Sequence, residues 1–103
     1  MTTTETQIHL VARETVRDIA VMLATLAMNS AKIGAKEHTY RHVRTTLEFT
    51  FNEVLNVIAE YSAGAIDADE AITEIEDLDK TALGLSNAAN VILGITTERG
   101  PLA

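Results

Sequence analysis

The sequence predicts an all-α protein, an antiparallel three-helix (up-down-up) bundle with long helices. In three successive segments, apolar residues recur at alternating intervals of three and four residues, which is the period of a helix with one buried face. Glycine separates the segments, and the short connections between them favour antiparallel neighbours. Hydrophobic residues make up 47% of the 103 residues, aromatic residues make up 4% and proline occurs once. This composition suits helix-on-helix packing better than a sheet.

The first helix is predicted at about residues 5–33. Its apolar stripe stops just before Gly34, a residue type that commonly closes a helix. Thr4 followed three residues later by Gln7 matches a capping box at the start. The residues of this stripe are Ile8, Ala12, Thr15, Ile19, Met22, Leu26, Asn29 and Ile33.

The second helix is predicted at about residues 37–63, ending at Gly64. The third is predicted at 68–93, or as far as 99, with Asp67 as N-cap and Glu70 at the third helical position. Gly84 and Gly94 interrupt the third pattern, and the sequence leaves open whether the helix continues through them. The second stripe is Tyr40, Arg44, Leu47, Phe51, Val54, Ile58 and Tyr61. The third stripe is Ala71, Ile75, Leu78, Ala82, Leu85, Ala89 and Ile92.

Length and composition limit the class of protein. A chain of this length has room for one domain, residues 1–103. The absence of cysteine excludes disulfides and thiol chemistry. The longest apolar run, 19–28, is shorter than the roughly 20 residues of a membrane span, and acidic residues precede it where a signal peptide would be basic. We therefore expect a cytoplasmic protein without a membrane span.

Charge is distributed unevenly along the chain. The net charge of −7 argues against nucleic acid as a partner, because nucleic-acid binding needs a basic surface. Basic residues concentrate at 32–44, whereas residues 48–79 hold ten acidic residues and no lysine or arginine. A solvated helix face explains the acidic stretch most simply. An alternative is a surface for a basic protein partner, as in an acidic inhibitor that mimics nucleic acid.

Surplus apolar residues predict a homo-oligomer. The second halves of helices 1 and 3 are apolar nearly all round, and Phe49 lies on the far side of helix 2 from its stripe. In an up-down-up bundle these segments lie at the same end, and a monomer of this size cannot bury them all. Coverage by the tail at 94–103 is the alternative. The predicted interface residues are Val21, Met28, Phe49, Val91 and Leu93.

The segment 36–45, termed the basic collar below, concentrates hydrogen-bond donors. Arginine, histidine and hydroxyl groups, together with the amides of a helix N-terminus, are typical of anion sites. Tyr40 and Arg44 are expected to stack on the stripe side of the helix. The collar predicts a phosphate- or nucleotide-like ligand, and the alternative is pairing with acids of a neighbouring subunit. The candidate ligand-binding residues are Lys36, His38, Tyr40, Arg41, His42, Arg44 and Thr45.

Carboxylates on helices 2 and 3 form a second candidate site. Glu74 and Asp77 make an E-x-x-D pair, and Glu53 lies on the preceding helix. Over residues 53–90 this arrangement resembles the all-α nucleoside triphosphate pyrophosphohydrolases of the MazG type. The resemblance implies a Mg²⁺ ion held by these three carboxylates. It departs from the family's E-x-x-E pair at Asn56, and the helical period places Glu53 and Asn56 away from the stripe of helix 2.

The sequence therefore favours a non-enzymatic, self-associating helical binding protein without a cofactor. No serine, threonine or histidine stands in a recognisable nucleophile context. The expected partners are further copies of the chain and either a small anionic ligand or a basic protein. The alternatives are a degenerate MazG-like hydrolase that uses Mg²⁺ and the acidic inhibitor.

Overall fold

Three helices form the regular structure of the described residues. The computed structural model describes residues 3–29 and 36–94. Helix α1 spans Thr3–Met28, α2 spans Glu37–Ser62 and α3 spans Ala68–Ile92, and each helix packs against the other two. The prediction of an all-helical, three-helix fold is confirmed. No helix in the described ranges is long and apolar enough to cross a membrane.

The helices lie side by side along the long axis of the molecule, which measures 48 × 24 × 17 Å. At 1.5 Å per residue, a helix of 26 residues is about 39 Å long. The six steps from Ser62 to Ala68 span at most about 22 Å and the nine from Met28 to Glu37 about 32 Å. Neither connection is long enough for parallel neighbours, so the chain runs up, down and up. The ends of α1 and α3 and the start of α2 share one end, termed the collar end.

The core is a single column of side chains from all three helices. The α1 stripe lies in it as predicted, from the fully buried Ile8 and Ile19 to Leu26 near the end of the helix. In α3, buried alanines and Ile75 confirm the predicted face. Small alanines on α3 let its backbone lie close to its neighbours. The buried stripe residues of these two helices are Ile8, Ala12, Thr15, Ile19, Met22, Leu26, Ala71, Ile75, Ala82 and Ala89.

The predicted face of α2 is partly wrong. Val43, Thr50 and Val57 are buried, whereas Arg44 is exposed. The core direction of α2 is therefore rotated toward the 43–50–57 side of the helix. Thr50 can be buried there because its hydroxyl donates a hydrogen bond of 2.8 Å to the carbonyl of Thr46.

Helix ends follow the predicted capping chemistry at two positions. The side chain of Asp67 accepts a hydrogen bond of 2.8 Å from the backbone N–H of Glu70, as expected for an N-cap. At the end of α2, Ala65 donates to the Glu60 carbonyl at 2.9 Å and Gly64 donates to the Tyr61 carbonyl at 3.0 Å. These two bonds form a Schellman motif, which places Gly64 at a φ of 79°.

Within the described residues α1 spans Thr3–Met28, where the sequence predicted about 5–33. The helix begins at Thr3, so Thr4 lies inside it and is not the N-cap. Met28 is its last residue, and Asn29 follows as a turn residue that donates its backbone N–H to the carbonyl of Leu26 and its side-chain amide to the carbonyl of Thr25. An asparagine that bonds its own helix in this way competes with helix continuation. The predicted stripe residue Ile33 and the stop at Gly34 lie outside the described residues.

The third helix continues through Gly84 and ends before Gly94. Gly84 lies within α3, whereas Gly94 follows it with a φ of 68°. The sequence left this point open because glycine serves both as a tolerated interior residue and as a terminator. The predicted extension of α3 beyond residue 94 and the tail predicted to fold back lie outside the described residues.

Alanine substitutions at Gly64, which follows α2, and at Gly84, which lies within α3, should change the free energy of unfolding in opposite directions. Gly64→Ala should lower the free energy of unfolding by about 1 kcal/mol, because an L-residue is strained at positive φ. Gly84→Ala should raise it by up to about 1 kcal/mol, because alanine favours a helix interior. An added Cβ meets no atom within 4 Å at either position, so a steric clash does not contribute to either effect. Urea unfolding of both variants checks this, and equal signs would contradict it.

Candidate functional site

The basic collar occupies the first turns of α2. Lys36, His38, Arg41 and His42 are exposed there, and Tyr40 is half-buried. Lys36 holds the N-cap position, and its side chain makes no capping hydrogen bond to this end of the helix. Backbone N–H groups of an N-terminal turn carry a partial positive charge that adds to that of the basic side chains.

Both collar arginines contact acids of their own helix. The Arg41 guanidinium donates a hydrogen bond of 2.6 Å to Glu37, and the Nε atom of Arg44 lies 3.6 Å from a Glu48 oxygen. The Arg44 guanidinium also lies 5.6 Å from the centre of the Tyr40 ring, which agrees with the predicted stacking. All four charged side chains are exposed, and exposed pairs contribute at most about 1 kcal/mol. An incoming anion can therefore replace either carboxylate at little cost.

Large apolar side chains are exposed in the half of the bundle that bears the collar. Met28 is 82% exposed, Val91 76% and Phe49 63%, and Val21 is exposed as well. These four residues are termed the apolar patch. Leu93, the fifth residue predicted for the interface, is only 7% exposed and belongs to the core cluster. It follows Ala89 by four residues and so lies on the same inward face.

Glu53, Glu74 and Asp77 line one cleft between α2 and α3. The cleft has a volume of about 350 Å³ and also includes Glu60. The sequence placed Glu53 away from the predicted stripe of α2, and the rotated core direction of α2 brings it to the edge facing α3. Asn56 donates a hydrogen bond of 3.2 Å to the Glu53 carboxylate. No three histidine, aspartate or glutamate side chains in the described residues are placed to share a metal ion.

A second groove, between α1 and α3, was missed in the sequence. It has a volume of about 270 Å³ and is lined by the carboxylates of Glu14 and Asp18 from α1 and of Asp79 from α3. One oxygen of Asp79, Oδ1, is buried without a hydrogen-bond partner. Burial raises the pKa of Asp79 above its ordinary value of 3.8, and repulsion from Asp18 and Glu14 raises it further.

A sequence signal for this groove did exist. Asp79 follows Ile75 by four residues and precedes Ala82 by three, which are the intervals of the buried stripe. A carboxylate at such a position faces a neighbouring helix. Which carboxylates of α1 it meets depends on how the two helices are aligned, and no local pattern gives that alignment.

Comparisons with known proteins place the chain in no family. It matches no protein-family model, no curated protein and no solved structure. The resemblance to MazG-type hydrolases therefore rests on Glu53, Glu74 and Asp77 alone, and functional inference starts from the collar, the patch and the two carboxylate-lined spaces.

The α2–α3 cleft should not support phosphate hydrolysis. We expect no Mg²⁺-dependent release of pyrophosphate from nucleoside triphosphates, because a neutral amide, Asn56, stands where the family's fourth carboxylate would bind the ion. A coupled pyrophosphate assay on purified protein checks this. Glu74→Ala removes a cleft carboxylate, and Glu76→Ala, on the same helix and outside that cleft, is its control. Release that depends on Mg²⁺ and is lost only in Glu74→Ala would instead establish a hydrolase.

Proposed function

We propose that this protein is a non-enzymatic, self-associating helical binding protein. In this proposal a second copy covers the apolar patch, and the basic collar binds a small anion of the phosphate or nucleotide class. The exposure of Met28, Phe49 and Val91 at the end that also bears the collar is the observation that carries it. Large apolar side chains exposed in one half of a soluble protein favour an interaction site there.

The positions of the patch residues support self-association. Met28 and Val91 lie at the ends of their helices, and Phe49 lies midway along α2, within the same half of an up-down-up bundle. Burial of apolar surface stabilises a complex by roughly 25 cal/mol per Å² before the costs of association. A symmetric dimer uses the same patch on both copies, so each exposed side chain contributes twice.

The chemistry of the collar supports an anionic ligand. The guanidinium of Arg41 is exposed and pairs with Glu37, and the N-terminus of α2 lies four to five residues before it. Planar guanidinium groups bind phosphate through two parallel hydrogen bonds. Phe49 follows Thr45 by one helical turn, so the collar and the patch adjoin on α2. A ligand at the collar would also neutralise positive charge next to the surface that a second copy covers.

Self-association can be tested with two charge substitutions on one helix. Phe49→Glu should shift the protein toward the 11.1 kDa monomer, because a carboxylate would be buried in an apolar contact. Leu55→Glu is the matched control, because Leu55 is 48% exposed on α2 but lies outside the patch. Light scattering at micromolar concentration gives the mass of each variant. A monomeric wild type, or equal dissociation by both variants, would contradict the proposal.

Anion binding can be tested by a charge-conserving substitution. Arg41→Lys should weaken binding of nucleotides by on the order of tenfold, because lysine keeps the charge but loses the two-pronged hydrogen bond. Arg17→Lys, in the exposed part of α1, is the control. Calorimetric titration with inorganic phosphate, nucleotides and cyclic dinucleotides measures affinity, and circular dichroism verifies unchanged helix content. If the wild type produces no heat with any of these, or if Arg17→Lys weakens binding equally, the collar is not the site.

A further inference from the structure

The groove between α1 and α3 brings acidic groups together across a helix contact. Glu14 and Asp18 face it from α1, and Glu76 and Asp79 line it from α3 with Lys80 as the one basic lining residue. None of the residues that line this groove comes from α2. Four carboxylates therefore share a confined space with a single ammonium group. At neutral pH this arrangement opposes the packing of α1 on α3.

Among these carboxylates, Asp79 experiences the repulsion and the loss of solvent most directly. Its Oδ1 atom is buried and has no hydrogen-bond partner, so this oxygen of the ionised carboxylate has lost water without gaining a donor. A protonated Asp79 carboxyl avoids this desolvation cost. It carries no charge to desolvate, and its O–H can donate to a facing carboxylate of Glu14 or Asp18, as in a carboxyl–carboxylate pair that shares one proton.

We propose that the α1–α3 groove is a proton-sensitive contact, in which uptake of one proton from solvent by Asp79 tightens the packing of α1 on α3 and its release loosens this packing. The device is separate from the collar and the patch, and it requires neither a ligand nor a second copy. Mild acid would thus stabilise the bundle, whereas many proteins lose stability in acid as paired carboxylates are protonated.

The direction in which pH changes stability follows from the linkage between proton binding and folding. Burial first, and then repulsion from Asp18 and Glu14, raise the pKa of Asp79 in the folded chain above 3.8. The folded state therefore binds this proton more tightly than the unfolded state. The resulting stabilisation appears as the pH falls through the raised pKa, is complete below 3.8, and is lost again as the pH rises.

Thermal unfolding of three proteins between pH 7.5 and pH 4 tests the proposal. Asp79→Asn should raise the unfolding midpoint by about 2–5 °C at pH 7, and its advantage over the wild type should shrink as the pH falls. Asp77→Asn is the matched control, because Asp77 is an exposed aspartate of the same helix that does not line this groove. It should follow the wild type at every pH. An Asp79→Asn variant whose advantage does not change with pH would overturn the proposal.

Direct titration provides a second measurement that does not depend on how well asparagine fits the site. Carbon-detected NMR of the wild type should show the Asp79 carboxyl titrating above the ordinary aspartate value of 3.8. Asp18→Asn removes the stronger of the two repulsions and should lower the Asp79 midpoint. An Asp79 midpoint at or below 3.8, or one that Asp18→Asn leaves unchanged, would likewise overturn the proposal.

Discussion

Burial of one stripe per helix is the constraint on which the bundle depends. Isolated helices of this kind are marginal in water, so each must bury a face against its neighbours to persist. The largest fully buried side chains come from all three helices, and together they form the centre of the core. They are Ile8, Ile19, Leu47, Val54 and Ile75. The ion pairs of Arg41 and Arg44, by contrast, are exposed and stay within α2.

The same constraint leaves most of each helix at the surface. Three helices in one layer around a thin core bury one side each, and the other sides meet solvent or a neighbour's edge. The functional candidates are found on those remaining sides. The collar and the apolar patch lie on outer surfaces, whereas the two carboxylate-lined spaces lie at the edges where α3 meets α1 and α2. Asp79 differs from the other acids because its position next to the stripe draws one oxygen out of solvent.

The fold could be predicted from the sequence where apolar spacing was unambiguous. The α1 stripe is regular, and the core contains it from Ile8 to Leu26. In α2, Tyr40 and Phe51 drew the predicted face toward themselves, because large aromatic rings reach the core from its flank. Thr50 was overlooked because its hydroxyl is polar, yet a bond to its own helix backbone satisfies it. Periodicity records where apolar groups lie and does not record how a polar group is satisfied.

The candidate sites were predictable to different degrees, because some are local runs of residues and others form only when helices pack. The collar is a local run of residues, so its composition and the stacking of Tyr40 with Arg44 could be read directly from spacing. Leu93 and Asp79 depend on the direction in which α3 turns its inward face. The apposition of Asp79 with Asp18 further requires the alignment of two helices far apart in the chain. Tertiary packing decides both the inward direction of α3 and its alignment with α1.

Separation along the bundle makes the basic collar and the α1–α3 groove independent of each other. At 1.5 Å per residue, Arg41 lies about 31 Å and Asp79 about 17 Å from the end at which α2 and α3 are joined. The axial separation of about 14 Å exceeds the Debye length of about 8 Å at physiological ionic strength. Charge changes at the collar are therefore screened from the groove, and substitutions at such distances usually have additive effects on stability. This independence follows from the topology, because three long antiparallel helices place the collar near one end of the axis and the α1–α3 groove nearer its middle.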